Sequence, residues 1–271
     1  MRLAILSDIH GNLPAFEAAL KHLANHKPDQ VILLGDVVNC APDSAECWQL
    51  AQSLGCPMLR GNHERYTALY NTPEADPLWS TEQFAPLHWT VSQFTTAEIQ
   101  AMRDLPACLR LPGAPDLLLV HASARGDHDT VAPYTPEATL HEMFPDVRER
   151  WVVRGHNHMC AVRLWERGMI ITCGSAGMAL DGIPTAQYLL LDQAADGWRI
   201  QHQSVPYSVE ALAQRFHTSG YLKAAGPMAR LYLREFQTGS PHLVPFLRDY
   251  RRWKQTHTIS LSQAVDRFLA G

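Results

Sequence analysis

The first third of the chain alternates short apolar runs with amphipathic stretches. Residues 3–7 and 31–34 are apolar runs of strand length, and each predicts a buried β-strand. The stretch between them predicts a helix, because apolar residues recur there on one face, namely Leu13, Phe16, Leu20 and Leu23. Asn12 can cap this helix, and Pro14 is tolerated in its first turn.

A second helix and a third strand are predicted next. Asp43 and Glu46 have the spacing of a capping box, and Gly55 can end the helix that they begin. Residues 58–60 are then expected to form a strand. The order strand, helix, strand, helix, strand predicts a parallel sheet covered by helices.

The middle of the chain changes character twice. Residues 64–111 have a helical pattern broken by prolines, which predicts an irregular helical insertion near the C-terminal ends of the strands. Strands are expected again at 117–120, 152–154, 188–192 and 198–205. Residues 162–165 and 169–172 flank Glu166-Arg167-Gly168 and predict a hairpin. After Pro206 the pattern is helical to the end.

Composition narrows the class of protein. Of the 271 residues 46% are hydrophobic and 18% charged, which is typical of a globular protein with a real core. No apolar run is long enough to span a membrane, and the N-terminus lacks a secretory signal, so we expect a cytoplasmic protein. Six cysteines without a CxxC motif are expected to stay reduced. The net charge of −4 argues against general nucleic-acid binding, although residues 206–271 are basic.

Five short segments hold residue types that bind metal ions, and each follows a predicted strand. They are Asp8-Ile9-His10, Gly35-Asp36, Gly61-Asn62-His63-Glu64, His121 and Gly155-His156-Asn157-His158. A loop that leaves a strand end can aim side chains into a shared cleft. The glycines before Asp36, Asn62 and His156 are expected to permit tight backbone. In the D-x-H and H-x-H pairs, positions i and i+2 can point the same way from an extended segment.

Taken together, these segments predict a metal centre. A single Gly-Asp is usually a turn, and a single histidine is usually an ordinary hydrogen-bonded residue. Burying three carboxylate or amide groups and four imidazoles together would be costly unless a cation compensated. The donors are oxygen and nitrogen atoms, which suit Mn, Fe, Zn, Ni or Mg.

The order D-x-H, GD, GNH[D/E], H and GH-x-H resembles the calcineurin-like metallophosphoesterase superfamily. Within it, the chain is similar to the small prokaryotic phosphoesterases that begin DIHGN. The similarity covers residues 1–205 and extends beyond the donors, to Gly35-Asp36-Val37-Val38, Ala41-Pro42-Asp43, Glu46-Cys47, Gly174-Ser175-Ala176-Gly177 and Asp181-Gly182.

The resemblance implies a four-layer α/β/β/α sandwich of two mixed sheets with a two-metal site at one edge. Residues 1–205 would form the catalytic domain, including the insertion at 64–111, and residues 206–271 a helical extension packed on it. One ion would be held by Asp8, His10, Asp36 and His158. The other would be held by Asp36, Asn62, His121 and His156, with Asp36 bridging.

The implied cofactors are two divalent or mixed-valent ions, Mn, Fe, Zn or Ni, with Mn favoured for activity. Two cations about 3.5–4 Å apart can share a water that ionises at neutral pH and attacks phosphorus in line. By the same resemblance, His63 would stabilise or protonate the leaving oxygen. Many close relatives carry cysteine at this position, so His63 favours an enzyme that cleaves diesters or anhydrides.

The chain departs from the family pattern at the rim of the site. Asn157 replaces the threonine of GHTH, Ala122 follows His121 where glycine is usual, and Cys173 stands in place of the proline of NPGS. None of these changes removes a predicted ligand, but they leave the identity of the substrate undecided. Arg125 could reach a second phosphate, although a solvated loop arginine fits equally well.

The predicted function is hydrolysis of a phosphodiester or a nucleotide phosphoanhydride, with a dinucleoside polyphosphate as one specific substrate. The expected partner is a small phosphorylated molecule, and the sequence says nothing of the oligomer. A broad-specificity phosphomonoesterase would use the same two-metal chemistry. A non-catalytic scaffold with this fold is a third interpretation, but it would have lost ligands, and none is missing here.

Overall fold

The structure is a computed structural model that describes residues 1–166, 168–256 and 258–271. Its strands are β1 (Arg2–Leu6), β2 (Gln30–Leu33), β3 (Cys108–Leu111), β4 (Ala114–Val120), β5 (Trp151–Arg154), β6 (Cys160–Trp165), β7 (Gly168–Cys173), β8 (Thr185–Ala194) and β9 (Gly197–Pro206). Its helices are α1 (Leu13–Ala24), α2 (Ser44–Ser53), α3 (Asn62–Leu69), α4 (Ala85–Ser92), α5 (Thr96–Arg103), α6 (Glu137–Met143), α7 (Val209–Thr218), α8 (Tyr221–Ala224), α9 (Gly226–Thr238), α10 (Leu243–Thr256) and α11 (Leu261–Leu269). Two 3₁₀ turns, Pro77–Ser80 and Glu82–Phe84, precede α4.

The strands form two mixed sheets. The first has the order β2-β1-β8-β9, in which β1 is parallel to β2 and antiparallel to β8. The second has the order β3-β4-β5-β7-β6, in which the central pairs β4–β5 and β5–β7 are parallel. The outer strands β3 and β6 run antiparallel to their neighbours. The two mixed sheets expected from the sequence are confirmed.

Alternation along each strand places the sheets face to face with helices outside. On β1, Leu3 and Ile5 face the second sheet, whereas Ala4 and Leu6 face α1 and α2. The second sheet repeats the pattern, because Leu118 packs toward α6. Successive strand residues point to opposite faces, so each buried strand supplies two cores at once. The layers therefore follow the order helix, sheet, sheet, helix.

Two helix caps were predicted from the sequence, and one of them is present in the structure. Asn12 caps α1 as expected, with its side chain accepting a hydrogen bond from the backbone N–H of Ala15. The capping box predicted at Asp43 is wrong, although α2 does begin at the next residue. The Asp43 carboxylate instead accepts a hydrogen bond from Arg215 of α7, which also binds Glu46 at 3.1 Å. A long-range ion pair has displaced the local cap.

Two other predicted elements differ from the structure. The strand expected at 58–60 is reduced to one parallel bridge between Leu33 and Met58. The chain leaves the sheet there because the N–H of Arg60 donates to Pro106 instead. The insertion at 64–111, which the sequence predicts to be irregular and helical, ends in β3, whose alternating side chains pair with β4. The predicted β6–β7 hairpin is present, and Arg167 of its turn lies outside the described residues, as does His257.

The C-terminal helices contact loops of the preceding part of the chain through a cluster that includes residues from both parts. Phe216 and Phe236 share this cluster with Cys40, Ala41 and Met178. A second cluster lies within the extension and includes Leu231, Phe246, Trp253 and Leu261. None of the described helices is both long and apolar enough to cross a membrane.

We predict that residues 206–271 expressed alone do not unfold cooperatively with high stability. About 65 residues give only a marginal core, and removal of the catalytic part would expose Phe216 and Phe236. Circular dichroism during urea titration checks this expectation. A steep, high-denaturant transition in the isolated segment would show instead that it is an independent domain.

Candidate metal centre

The ends of β1 and β2 bring the first carboxylates together. The N–H of Asp8 donates to the carbonyl of Gly35 at 3.0 Å, and the N–H of His10 donates to that of Asp36 at 2.9 Å. The two loops that leave the parallel strands are therefore joined to each other. Because both strands end at the same edge of the sheet, their side chains point into one cleft.

The backbone of these loops is left-handed, not extended as the i, i+2 interpretation assumed. Five predicted ligands have φ between 54° and 67°, namely Asp8, His10, Asp36, His156 and His158. For a residue that is not glycine this conformation costs roughly 1–2 kcal/mol. Such strain persists only where the surrounding hydrogen bonds impose it, and it clusters at functional sites.

The glycines next to the ligands are needed for space more than for conformation. Gly61 has an ordinary φ of −85°, but a Cβ on it would lie 2.2 Å from Asp36 Oδ1. A Cβ on Gly155 would lie 2.0 Å from Ser7 Oγ. Real Cβ atoms do not approach other atoms so closely. The ligand loops can pack against each other because both positions lack a side chain.

The Glu64 side chain binds the backbone of the same loops. Its carboxylate is fully buried and accepts hydrogen bonds from the backbone N–H groups of Asp36, Val37, Val38 and Gly61, at 2.7 to 3.3 Å. The sequence placed Glu64 among residue types that bind metals, but its oxygens face backbone amides. Burial and the nearby Asp36 charge raise the pKa of Glu64 to about 7.

Asp8, His10 and His158 form the first cluster of donor atoms. Their nearest donor atoms lie within 4.8 Å of one another. His10 Nε2 lies 3.0 Å from His158 Nε2, and His158 Nε2 lies 3.4 Å from Asp8 Oδ1. Asp36 Oδ2 approaches His10 Nε2 at 3.8 Å. All four side chains therefore point at one small volume.

Asp36, His121 and His156 form the second cluster, which includes the Asn62 amide. Asp36 Oδ2 lies 3.3 Å from His121 Nε2. The side-chain amide of Asn62 lies 3.0 Å from His121 Nε2 and 3.1 Å from His156 Nδ1. Asp36 contacts both clusters, as a bridging carboxylate would. The structure thus brings together all seven residues predicted as ligands.

The protonation pattern of the clusters is that of a cation site. Burial opposes ionisation of Asp8 and Asp36, but the facing imidazoles outweigh it and lower the pKa of both carboxyls. Burial lowers the pKa of His156 to about 4. His121 is more deeply buried, yet the Asp36 charge raises its pKa to about 9. Positive charge is favoured between these groups, and protons and metal ions compete for the same lone pairs.

A buried carboxylate oxygen without a hydrogen bond is a second observation that fits a site for divalent metal ions. Asp8 Oδ1 is buried and makes no hydrogen bond within the described part of the chain. A buried, unpaired carboxylate oxygen is costly unless a cation binds it. The set of carboxylate oxygens, an amide oxygen and imidazole nitrogens matches the preferences of Mn, Fe, Zn and Ni.

His63 lies at the edge of the clusters, with its side chain 17% exposed and its Nε2 4.0 Å from Asp36 Oδ2. The Asn39 amide nitrogen lies 2.8 Å from His63 Nδ1. Asn39 Oδ1 already accepts from the N–H of Cys40 and the hydroxyl of Thr90, so its NH₂ group must face the imidazole. A neutral His63 therefore carries its proton on Nε2.

Two residues near His63 were missed by the sequence interpretation. Asn39 orients the imidazole, but as a single asparagine after a Gly-Asp turn it gave no signal. Cys40 is one of the six cysteines expected to stay reduced, and its sulfur lies within 4.8 Å of nitrogens of His10 and His63. Burial raises the pKa of the Cys40 thiol well above its usual value, which disfavours a thiolate. Cys40 is also buried and shares a core cluster with Tyr232.

The rim residues have structural partners. Arg125 makes a bidentate ion pair with Asp129, at 2.9 and 2.8 Å, so its guanidinium is already neutralised. Asn157, one of the departures from the family pattern, donates to the carbonyl of Val131 and accepts from the buried Arg154. Arg154 also binds the carbonyl of Ala122 at 2.5 Å. Arg154 and Asn157 thus fix the loop after His121 to the loop that bears His156.

Residues 1–160 match the sequence pattern of the calcineurin-like phosphoesterases, and the chain belongs to that family. It is therefore a metal-dependent phosphoesterase, and the family implies a binuclear site for divalent metal ions. An uncharacterized protein of Methanocaldococcus jannaschii is 24% identical over 229 residues, which cover 77% of this chain and 88% of that protein.

Two solved structures share the fold over nearly their whole length. A metallophosphoesterase of Sphaerobacter thermophilus has a TM-score of 0.69 and 23% identity, covering 88% of this chain and 99% of that one. A hypothetical protein of Pyrococcus horikoshii has a TM-score of 0.71 and 19% identity, covering 89% and 99%. At this identity the likeness establishes the architecture alone.

Proposed function

We propose that the chain hydrolyses a phosphodiester or a nucleotide phosphoanhydride, with His63 acting on the leaving oxygen. The observation that carries the proposal is the convergence of seven nitrogen and oxygen donors around Asp36, with the Nε2–H of His63 beside them. A phosphate that bridges the clusters would place its leaving oxygen within reach of this donor. A scaffold would have no need of such an arrangement.

The proposed ligands divide into two sets that share Asp36. Asp8, His10, Asp36 and His158 hold one ion, and Asp36, Asn62, His121 and His156 hold the other. When bound, such ions neutralise phosphoryl oxygens and lower the pKa of a shared water. We favour Mn²⁺, since the donors are nitrogen and oxygen.

The chain's own residues orient the substrate and stabilise the leaving oxygen. Glu64 and the packed glycine loops keep the donors in place before substrate arrives. Asn39 fixes the tautomer of the neutral His63, so that its Nε2–H donates a hydrogen bond to the leaving oxygen as the P–O bond breaks, and the departing alkoxide takes its proton from water. Stabilising this departure typically contributes roughly 10²–10⁴-fold to the rate.

A cavity next to the second cluster supports the proposal of a nucleotide substrate, because it can hold a polar group of about that size. Its volume is about 340 Å³, and its lining includes His121, Arg60, Arg65 and Arg125. Cavities of roughly 300 Å³ or more hold small organic ligands. Arg65 is neutralised by Asp127, but Arg60 makes its hydrogen bond to a backbone carbonyl and keeps its charge. Arg125 stays a candidate for substrate binding only as part of the lining of this cavity.

The cytoplasmic location and the reduced cysteines stay predictions from the sequence.

The test is a metal-stripped enzyme assayed before and after addition of Mn²⁺. We expect two ions per chain by elemental analysis, and hydrolysis of bis(p-nitrophenyl) phosphate or a dinucleoside tetraphosphate that disappears with chelator. The control is Cys40→Ser, which should keep both ions because no thiolate is a ligand. Full activity in thoroughly demetallated protein would contradict the proposal.

A further inference from the structure

A small cavity lies beside His63, and its lining shares no residue with that of the arginine-lined cavity. Its volume is about 70 Å³. Asn39 and His63 form its polar wall, and the remaining lining is largely apolar. The apolar side chains come from α3, the insertion and the C-terminal extension, and include Tyr66, Phe84, Leu87, Met228, Leu243 and Leu247.

The position of this cavity identifies which part of a substrate would enter it. In an in-line displacement, the leaving oxygen departs toward the group that stabilises it. His63 Nε2 lies 4.0 Å from Asp36 Oδ2, and His63 also lines the cavity. A substituent carried by the leaving oxygen therefore points past His63 into this space.

The chemistry of the walls restricts that substituent. Among the described residues that line the cavity there is no lysine or arginine and no carboxylate. A phosphoanhydride would place a charged phosphate here without a cationic partner, which is costly. The arginine side chains lie instead around the cavity beside His121.

The volume restricts the substituent further. An apolar cavity that holds benzene measures about 150 Å³, roughly twice this one. A cavity of about 70 Å³ therefore accommodates a short or branched alkyl group, or one edge of a ring, but not a nucleoside. The apolar walls favour such a group because its burial removes hydrocarbon surface from water.

We propose that this cavity is the leaving-group subsite, and that the substrate is a phosphodiester whose departing alcohol is small and apolar. The proposal rests on the proposed function and narrows it, because it favours the diester over the anhydride. It also assigns a role to the insertion and the extension, which together form the walls of the subsite.

Methylphosphonate monoesters test this proposal, because each contains only one ester bond that can break. The series is the methyl, isobutyl and 2-naphthyl esters, assayed with the Mn²⁺-loaded full-length enzyme. Leu247→Trp fills the cavity, Leu247→Ala enlarges it, and Val244→Ala on the exposed face of the same helix is the matched control. Comparing each variant with wild type on the same ester removes the effect of alcohol acidity.

We expect Leu247→Trp to lower kcat/KM for the isobutyl ester about tenfold while changing the methyl ester less than about twofold. Leu247→Ala should raise kcat/KM for the naphthyl ester and lower it for the isobutyl ester. Val244→Ala should change none of the three. The methyl ester also reports whether each variant is folded and active.

The outcomes separate the two proposals. If wild type hydrolyses all three esters and both Leu247 variants change them equally, the subsite is elsewhere, although the enzyme is a phosphoesterase as proposed. If the wild-type enzyme hydrolyses none of the esters nor bis(p-nitrophenyl) phosphate, the proposed function itself fails. Competitive inhibition by isobutylphosphonate that is no stronger than that by methylphosphonate would also overturn the subsite.

Discussion

Replacing Asp36 with alanine is expected to abolish metal binding and hydrolysis together. Asp36 approaches both clusters, at 3.3 Å from His121 Nε2 and 3.8 Å from His10 Nε2. Its removal takes away a ligand of both proposed ions and leaves positive charge on facing imidazoles uncompensated. Elemental analysis and hydrolysis of bis(p-nitrophenyl) phosphate should both fall to background.

The control for this variant is Asp104→Ala, since Asp104 is an exposed aspartate at the end of α5. It should retain two ions and the wild-type rate. Circular dichroism of Asp36→Ala separates lost ligation from unfolding, because α1 and both sheets lie outside the site. An Asp36→Ala protein that still bound two ions and turned over substrate would exclude the bridging role.

Replacing His63 with alanine is expected to leave both ions bound and to reduce the rate by roughly 10²–10⁴-fold, the usual share of a side chain that stabilises the leaving oxygen. The imidazole lies beside the clusters, but its Nε2 is 4.0 Å from Asp36 Oδ2 and its Nδ1 is occupied by Asn39. The loss should be largest for an alkoxide leaving group, which needs the proton most. It should shrink for nitrophenolate, which departs well unprotonated.

The measurement is a metal count paired with a leaving-group series. His128→Ala is the matched control, because His128 is a half-exposed histidine on the rim that stacks on Tyr66. It should change neither the metal content nor the slope of the series. If His63→Ala lost metal as severely as Asp36→Ala, His63 would be a ligand. If neither variant changed any rate, the scaffold interpretation would replace the enzyme.

The structure brings together the residues that the sequence proposed as donors, because most of them occupy a fixed place relative to a strand. Short apolar runs located β1, β2, β4 and β5, and the polar residue after each run marked a loop at one edge. The order of motifs then connected these loops to one family. The packing of two sheets against each other was implied by the resemblance, whereas the residue pattern alone predicted a parallel sheet covered by helices.

The features that orient the site could not be read from the chain. Nothing local distinguishes Glu64 as an acceptor of backbone N–H groups from a ligand, since both are buried carboxylates next to the same motif. The left-handed backbone at Asp8 and His10 depends on hydrogen bonds to Gly35 and Asp36, which are distant in sequence. The ion pair between Asp43 and Arg215 replaced a local cap for the same reason.

The insertion and the C-terminal extension meet beside His63. The residues that line the cavity and the proposed metal ligands therefore lie in separate stretches of the sequence. The donor atoms come from loops of the two sheets, whereas Phe84, Leu87, Met228 and Leu247 come from outside them. Substitutions in these outer helices can alter which alcohol is accepted without altering the ion-binding loops. New specificities can thus arise by drift or by segment exchange in the outer helices, while the reacting centre is inherited unchanged.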